Sequence, residues 1–175
     1  MSSTIGIVAI LKNINSSVND VTQLVTAGTY LMGFIFFCIG LYKLKQFTEN
    51  RNSGQQSTIF APIFYLITGI AFTYWPSIRD SSLQTVFGSA NLLSYTESGT
   101  SGDLDTAVTV VINIVRLLGF ISFMKGWYLL TKIGQQQQGG GSNAIKSIMH
   151  IGVGVLAMNI VQTWDIIENT LLGSS

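Results

Sequence analysis

Four long apolar stretches divide the chain. The first runs from about Thr22 to Tyr42 and carries no charge. The second, also uncharged, runs from about Thr58 to Trp75 and stops at Pro76. The third, about Ala107 to Thr131, contains Arg116 and Lys125. The fourth, about Ala144 to Trp164, contains Lys146 near its start and His150 further in. Each is close to the roughly 17–25 residues that an α-helix needs to cross a bilayer. The last two are the weaker spans, since a charge near a helix centre costs roughly 2.5–3.5 kcal/mol on insertion scales. Punctuation gathers between them: Asn-Ser-Gly at 52–54, Ser-Gly-Thr-Ser-Gly at 98–102, and four glutamines followed by three glycines at 135–141. Ahead of the first span, Ile5 to Leu11 is too short to cross. No Lys or Arg precedes it and no small-x-small site follows, so it does not resemble a cleaved signal. Residues 1–20 read as a retained tail with room for a short interfacial helix; a disordered tail is the alternative.

The pattern is duplicated. Leu31-Met-Gly-Phe-Ile-Phe-Phe-Cys-Ile-Gly-Leu-Tyr42 lies over Leu117-Leu-Gly-Phe-Ile-Ser-Phe-Met-Lys-Gly-Trp-Tyr128 at an offset of 86, with seven of twelve pairs identical. The downstream stretches match more weakly at an offset of 85, through Ile63/Ile148 and Gly69/Gly154. Each half reads as helix, polar loop, helix, entering the membrane from the same side, which makes the repeat parallel and not inverted. The predicted fold is all-α: an integral membrane protein of four transmembrane helices in two tandem hairpins. One membrane domain covers 1–175, with repeat 1 at about 22–76, repeat 2 at about 107–172, and 77–106 as the connection.

Composition explains why lipid is the expected solvent. Of 175 residues, 47% are hydrophobic and only 10% charged, against about 25% charged in a soluble domain. Mean hydropathy is +0.45. So few charges cannot cover a globular surface. One Cys and one His leave neither a disulfide framework nor a metal cage. A net charge of +1 without a basic cluster speaks against direct nucleic-acid binding. No cofactor is expected.

The charges that exist set an orientation. Lys43, Lys45 and Arg51 lie in the first hairpin loop against Glu49, and Lys132 and Lys146 flank the second with no acid. The middle connection carries Arg79 against Asp80, Glu97, Asp103 and Asp105, and Asp165 and Glu168 end the fourth stretch. Loops rich in Lys and Arg stay cytoplasmic. Loops 43–57 and 132–143 are therefore predicted inside a bacterial inner membrane, with both termini and the acidic connection outside. Trp75, Trp164 and Tyr74 then form an outer aromatic belt, and Tyr42, Trp127 and Tyr128 an inner one.

Within the spans, glycines and buried polar groups stand out. Gly33 and Gly40, matched by Gly119 and Gly126, sit seven residues apart on one helix face, which predicts a close-packing seam. Gly28, Gly152 and Gly154 extend the expectation. Arg116 and Lys125 break the repeat. A hairpin turning near 137–138 puts Lys125 level with His150, and Arg116 level with Asn159. These four read either as a polar layer inside an assembly or beside a conduit, or as snorkelling and locally paired side chains. His150 reads as a neutral hydrogen-bonding group, and Cys38 as inert. No phosphate loop, nucleophile elbow, zinc motif or acid pair at membrane depth is present, so no enzyme activity is expected.

A helix with glycines, a short basic loop and a second helix, with both ends outside, resembles the two-helix pilin subunit of type IV secretion systems, here in tandem. Gly33-Phe34 through Gly40-Leu-Tyr-Lys-Leu-Lys-Gln-Phe47, followed by a Gly/Gln loop and another helix, is similar to the IcmC (DotE) family and its TraQ counterpart in IncI-type plasmid transfer. The resemblance covers about 22–172. It departs in the second copy, where Lys43-Leu-Lys45 becomes Leu129-Leu-Thr131. It implies a non-enzymatic inner-membrane component of a type IVB-like secretion or conjugation apparatus. Its partners would be membrane lipids and other subunits, in a homo- or hetero-oligomer. The alternative is a small channel or transporter with a polar path near Arg116, His150 and Asn159.

Overall fold

The computed structural model describes residues 2–53, 58–92, 102–133 and 140–173. Among them every regular element is an α-helix: α1 (Ser2–Asn52), α2 (Phe60–Thr73), α3 (Trp75–Phe87), α4 (Gly102–Ile133), α5 (Gly140–Met158) and α6 (Ile160–Leu172). The hairpin turn expected at 137–138 and the Ser-Gly-rich part of the connection lie outside the described residues.

The N-terminal tail is not separate from the first span. No proline interrupts Ser2 to Asn52, and hydroxyls that could compete with the helix bond back to it instead: Ser17 Oγ donates to Asn13 O and Thr22 Oγ1 to Val18 O, at 2.9 and 2.7 Å. The result is one helix of 51 residues, about 76 Å long at 1.5 Å per residue. Its early part is tied to α4, where Asn113 Nδ2 donates to Asn15 Oδ1 at 2.7 Å.

The second and fourth apolar stretches are broken. The α2 and α3 axes meet at 91°, and those of α5 and α6 at 93°. At the first break the cause is local. Pro76 lacks an N–H and its ring crowds the preceding turn, so α2 stops, Tyr74 leaves helical geometry at φ −99°, ψ 34°, and the proline is used in the first turn of α3. The second break carries no proline. Asn159 holds φ −117°, ψ 56°, and Thr163 Oγ1 donates to Leu156 O at 2.8 Å, a carbonyl that a continuous helix would have used, and to Asn159 O at 3.0 Å. The two breaks sit 85 residues apart, the repeat offset. Part of the expected connection 77–106 is thus helical, and the helix within the second apolar stretch is shorter than predicted: the 14 residues of α2 reach about 21 Å.

By length and composition, α1 and α4 each suffice to cross a membrane, and the count rises to four if each bent pair forms one span. α1 packs along α2 and α4 along α5, while α4 also lies against both α1 and α2. The apolar core lies where the halves meet. Trp75 and Leu83 of α3 pack with Phe120 and Phe123 of α4 and Val155 and Met158 of α5. Trp75 is therefore buried against Phe120, 4.3 Å between ring centroids, and is no part of an aromatic belt. The bend in front of it swings the indole into the second half. Tyr74, Trp164, Tyr42 and Tyr128 are exposed.

Candidate functional site

Two seams hold the hairpins. A Cβ on Gly33 would lie 2.7 Å from Thr73 N, and one on Gly119 2.7 Å from Met158 N. On Gly40 it would meet Leu66, and on Gly126 Ile151, each within 2.8 Å. On Gly69 it would meet Phe37 N, and on Gly154 Phe123 N, both at 2.6 Å. Each contact of the first half recurs in the second at offsets of 86 on the long helix and 85 on its partner. Backbone approach of this kind lets dispersion and carbonyl contacts act where lipid offers no hydrophobic drive. Gly28 and Gly152, expected to take part, meet nothing within 4 Å. In the second seam the approach also serves a hydrogen bond: the buried Ser147 Oγ donates to Gly126 O at 2.5 Å. Ser147 was legible only as a hydroxyl in an apolar run.

The predicted polar layer is not one cluster. His150 lies beside Ser122, with 3.2 Å from Ser122 Oγ to Nδ1 and 3.2 Å to the His150 carbonyl. Lys125 is exposed on the outer side of α4. The register of α4 against α5 pairs 119 with 158 and 126 with 151, two residues from the alignment expected for a turn near 137–138.

Arg116 faces α1 instead of α5. It lines a cavity of about 200 Å³ with Asn19, Thr22 and Thr26 of α1, Asn113 of its own helix, and Arg79 of α3. Arg116 Nη1 reaches Asn113 Oδ1 at 3.4 Å, and Asn113 passes the contact on to Asn15. Arg79 is held by Asp80 at 2.6 Å. Asn15, Asn19 and Asn113 were not singled out in the sequence; their signal was an asparagine at helical spacing on each of two packed helices.

Asn159 is fully buried at the second break. Its Nδ2 donates to Gln162 Oε1 at 2.7 Å and to Asn91 O at 3.4 Å, and Gln162 Nε2 donates to Phe87 O at 3.2 Å. This fork fastens the end of α3 and the stretch of chain after it to the α5–α6 corner. Arg116, His150 and Asn159 thus make three separate sets of contacts, and no single polar path joins them among the described residues.

The basic loop residues lie at the helix ends. Lys43 Nζ stands 5.3 Å from the Tyr65 ring centroid, and Lys132 Nζ 5.0 Å from that of Tyr128. Lys45 pairs with Glu49 at 3.6 Å in exposed surroundings, a contact worth little in itself. Arg51 and Lys146 are exposed. Among the described residues no group of His, Cys, Asp and Glu is placed to hold a metal ion. Comparison with protein-family models, curated proteins and solved structures returned no match.

Proposed function

We propose that the chain is a non-enzymatic, inner-membrane structural component of a type IVB-like secretion or conjugal transfer apparatus, acting by packing its helices into a larger transmembrane assembly. On this reading each bent pair contributes one crossing, giving two tandem hairpins, four crossings and cytoplasmic basic loops. The observation that carries it is the duplicated glycine seam. Six glycines set two hairpins at backbone contact, a construction that yields rigid units for packing and uses no reactive side chain. The stretch from Gly33 to Phe47, with its resemblance to the IcmC and TraQ families, supplies the apparatus. The absence of a shared path among Arg116, His150 and Asn159 in the described residues weighs against the channel reading.

The test is complementation. Deleting the gene from its host should abolish plasmid or effector transfer to recipient cells, and the intact chain should restore it. Gly33→Leu should fail to restore transfer, because the added side chain meets the Thr73 backbone. Ala27→Leu, on an exposed position of the same helix, should restore it. Transfer at wild-type frequency in the deletion strain would sink the proposal.

A further inference from the structure

Within the chain, α4 enters a groove between α1 and α2. The groove is built from Thr29, Phe36 and Thr68. Thr29 Oγ1 reaches Met124 Sδ at 3.3 Å, Thr68 Oγ1 donates to Trp127 O at 3.1 Å, and Phe36 stacks on Tyr128 at 6.1 Å between centroids. Thr29 and Thr68 are 0% exposed, and Ala71, one turn beyond Thr68, is 2% exposed.

The duplication copies both surfaces. The second half carries its own groove: Val115, Ser122 and Val153 replace Thr29, Phe36 and Thr68 at the repeat offsets, and Leu156 replaces Ala71. This copy is open, with Val153 56% and Leu156 42% exposed. The first half carries its own ridge: Cys38, Leu41 and Tyr42 replace Met124, Trp127 and Tyr128. It is open too, with Leu41 49% and Tyr42 68% exposed and Cys38 exposed. The chain therefore ends in a free ridge on one flank and a free groove on the other.

Exposed aliphatic residues in a membrane protein ordinarily face lipid. The groove contains something lipid does not satisfy. Where the first half has the Phe36–Tyr65 ring pair, the second has the half-buried Ser122–His150 pair. Its imidazole Nε2 makes no hydrogen bond among the described residues. A polar pair at this depth calls for a polar partner. The ridge residue that the in-chain arrangement sets against this spot is Tyr42, the counterpart of Tyr128, and its phenol can donate to the imidazole.

We propose that a second copy of the chain docks head-to-tail, its α1 ridge entering the α4–α5 groove of the first, with Tyr42 bonded to His150. Because ridge and groove are different surfaces, the contact is heterologous: each copy added leaves one of each free. The spans carry it and α6 does not dock as α3 does, since Glu168 stands where α3 has the buried Leu83. The in-chain pairs Asn15–Asn113, Thr29–Met124 and Phe36–Tyr128 are 98, 95 and 92 residues apart, against a repeat offset of 86. Each half-unit step therefore also slides along the helix axes, about 18 Å from one copy to the next at the Phe36–Tyr128 level, so a hydrocarbon layer of about 30 Å limits the contact to a stepped pair of copies instead of a flat ring. The proposal needs the chain to lie in the membrane as described above, but not to serve transfer. Transfer can fail with the contact intact, and the contact can fail with transfer unaffected.

Thr68 touches the Trp127 carbonyl directly, so their counterparts Val153 and Leu41 mark the closest approach between copies. Both are exposed, so cysteine there leaves the fold alone. Two differently tagged chains, Leu41→Cys and Val153→Cys, each with Cys38→Ala, are co-expressed and oxidised in native membranes. The expected product is a disulfide-linked dimer carrying both tags, with each variant alone remaining monomeric. Adding Tyr42→Phe to the Leu41→Cys chain should lower the mixed-dimer yield several-fold, while Tyr30→Phe should not. Homodimers from either variant alone would replace the head-to-tail contact with a symmetric one and overturn it. So would an absent cross-link with a monomeric mass for the wild-type chain released in lipid nanodiscs, which would assign both flanks to lipid. Equal yields with and without the Tyr42→Phe substitution would remove the Tyr42–His150 bond.

Discussion

A single methyl group separates the glycines that matter from those that do not. On Gly69 or Gly154 it would stand 2.6 Å from a backbone nitrogen of the facing helix, which cannot step aside without moving the helix. Gly69→Ala and Gly154→Ala should each lower stability by about 1–3 kcal/mol, the usual cost of overpacking. On Gly28 or Gly152 the methyl meets nothing, and alanine there should be neutral or stabilising by up to about 1 kcal/mol through helix propensity. Unfolding in mild detergent with added denaturant ranks the four; equal effects would mean the seams do not set stability. At this scale the sequence was readable wherever the repeat printed a residue twice, as at Gly33/Gly119 and Gly40/Gly126. It misled where a glycine stood in one copy only, as at Gly28 and Gly152. It was silent on partners, because Ser122 meets His150 through the register of α4 against α5, which the periodicity of neither helix sets.

The element that most changes the picture is the bend. Pro76 announced the first, since a proline cannot continue a helix without losing a bond, yet the sequence placed it as the end of a span and not as the opening turn of α3. Asn159 announced nothing: an asparagine in an apolar run is compatible with a straight membrane helix. What turns it into a corner is tertiary, namely the fork from Asn159 and Gln162 to the carbonyls of Asn91 and Phe87. Asn159→Leu removes the Asn91 arm of the fork and offers a good helix former in its place. The variant should straighten the junction, so that α5 and α6 run as one helix of about 33 residues. Spin labels at Ile145 and Leu171, both exposed, report it directly. A single helix over 26 residues spans about 39 Å, well beyond the separation across a 93° corner. An unchanged distance distribution would show that Thr163, with its bonds to Leu156 O and Asn159 O, keeps the corner alone. Trp164, Ile167 and Leu171 are exposed along one face of α6 while Asp165, Glu168 and Asn169 lie on the adjoining face; such a helix, turned off the axis of α5, suits the lipid headgroup level.

For the molecule as a whole, the corners and the charges describe one arrangement. Both breaks, both short helices and the acids Asp80, Asp165 and Glu168 lie at one end of the hairpins. Lys43, Lys45, Arg51 and Lys132 lie toward the other, where α1 and α4 finish. In the proposed orientation, which rests on the bias of Lys and Arg, that second end is cytoplasmic, and the aromatic rings under Lys43 and Lys132 suit a headgroup boundary. With α1 entering there, its remaining length is greater than a hydrocarbon layer of about 30 Å requires. The stretch around Asn15 and Asn19 then sits at the far boundary beside Arg79 and Arg116, where the polar side chains of the cavity come from α1, α3 and α4. Cysteine at Ser53 or Gly140, in a Cys38→Ala chain, should resist a membrane-impermeant thiol reagent in intact cells and react after lysis. Cysteine at Ser81, on the exposed side of α3, should react in intact cells. Protection at Ser81 with labelling at Ser53 would invert the molecule. It would also put the acidic corners inside and move the Arg116 cavity to the cytoplasmic boundary, where a basic side chain needs no partner other than lipid phosphate.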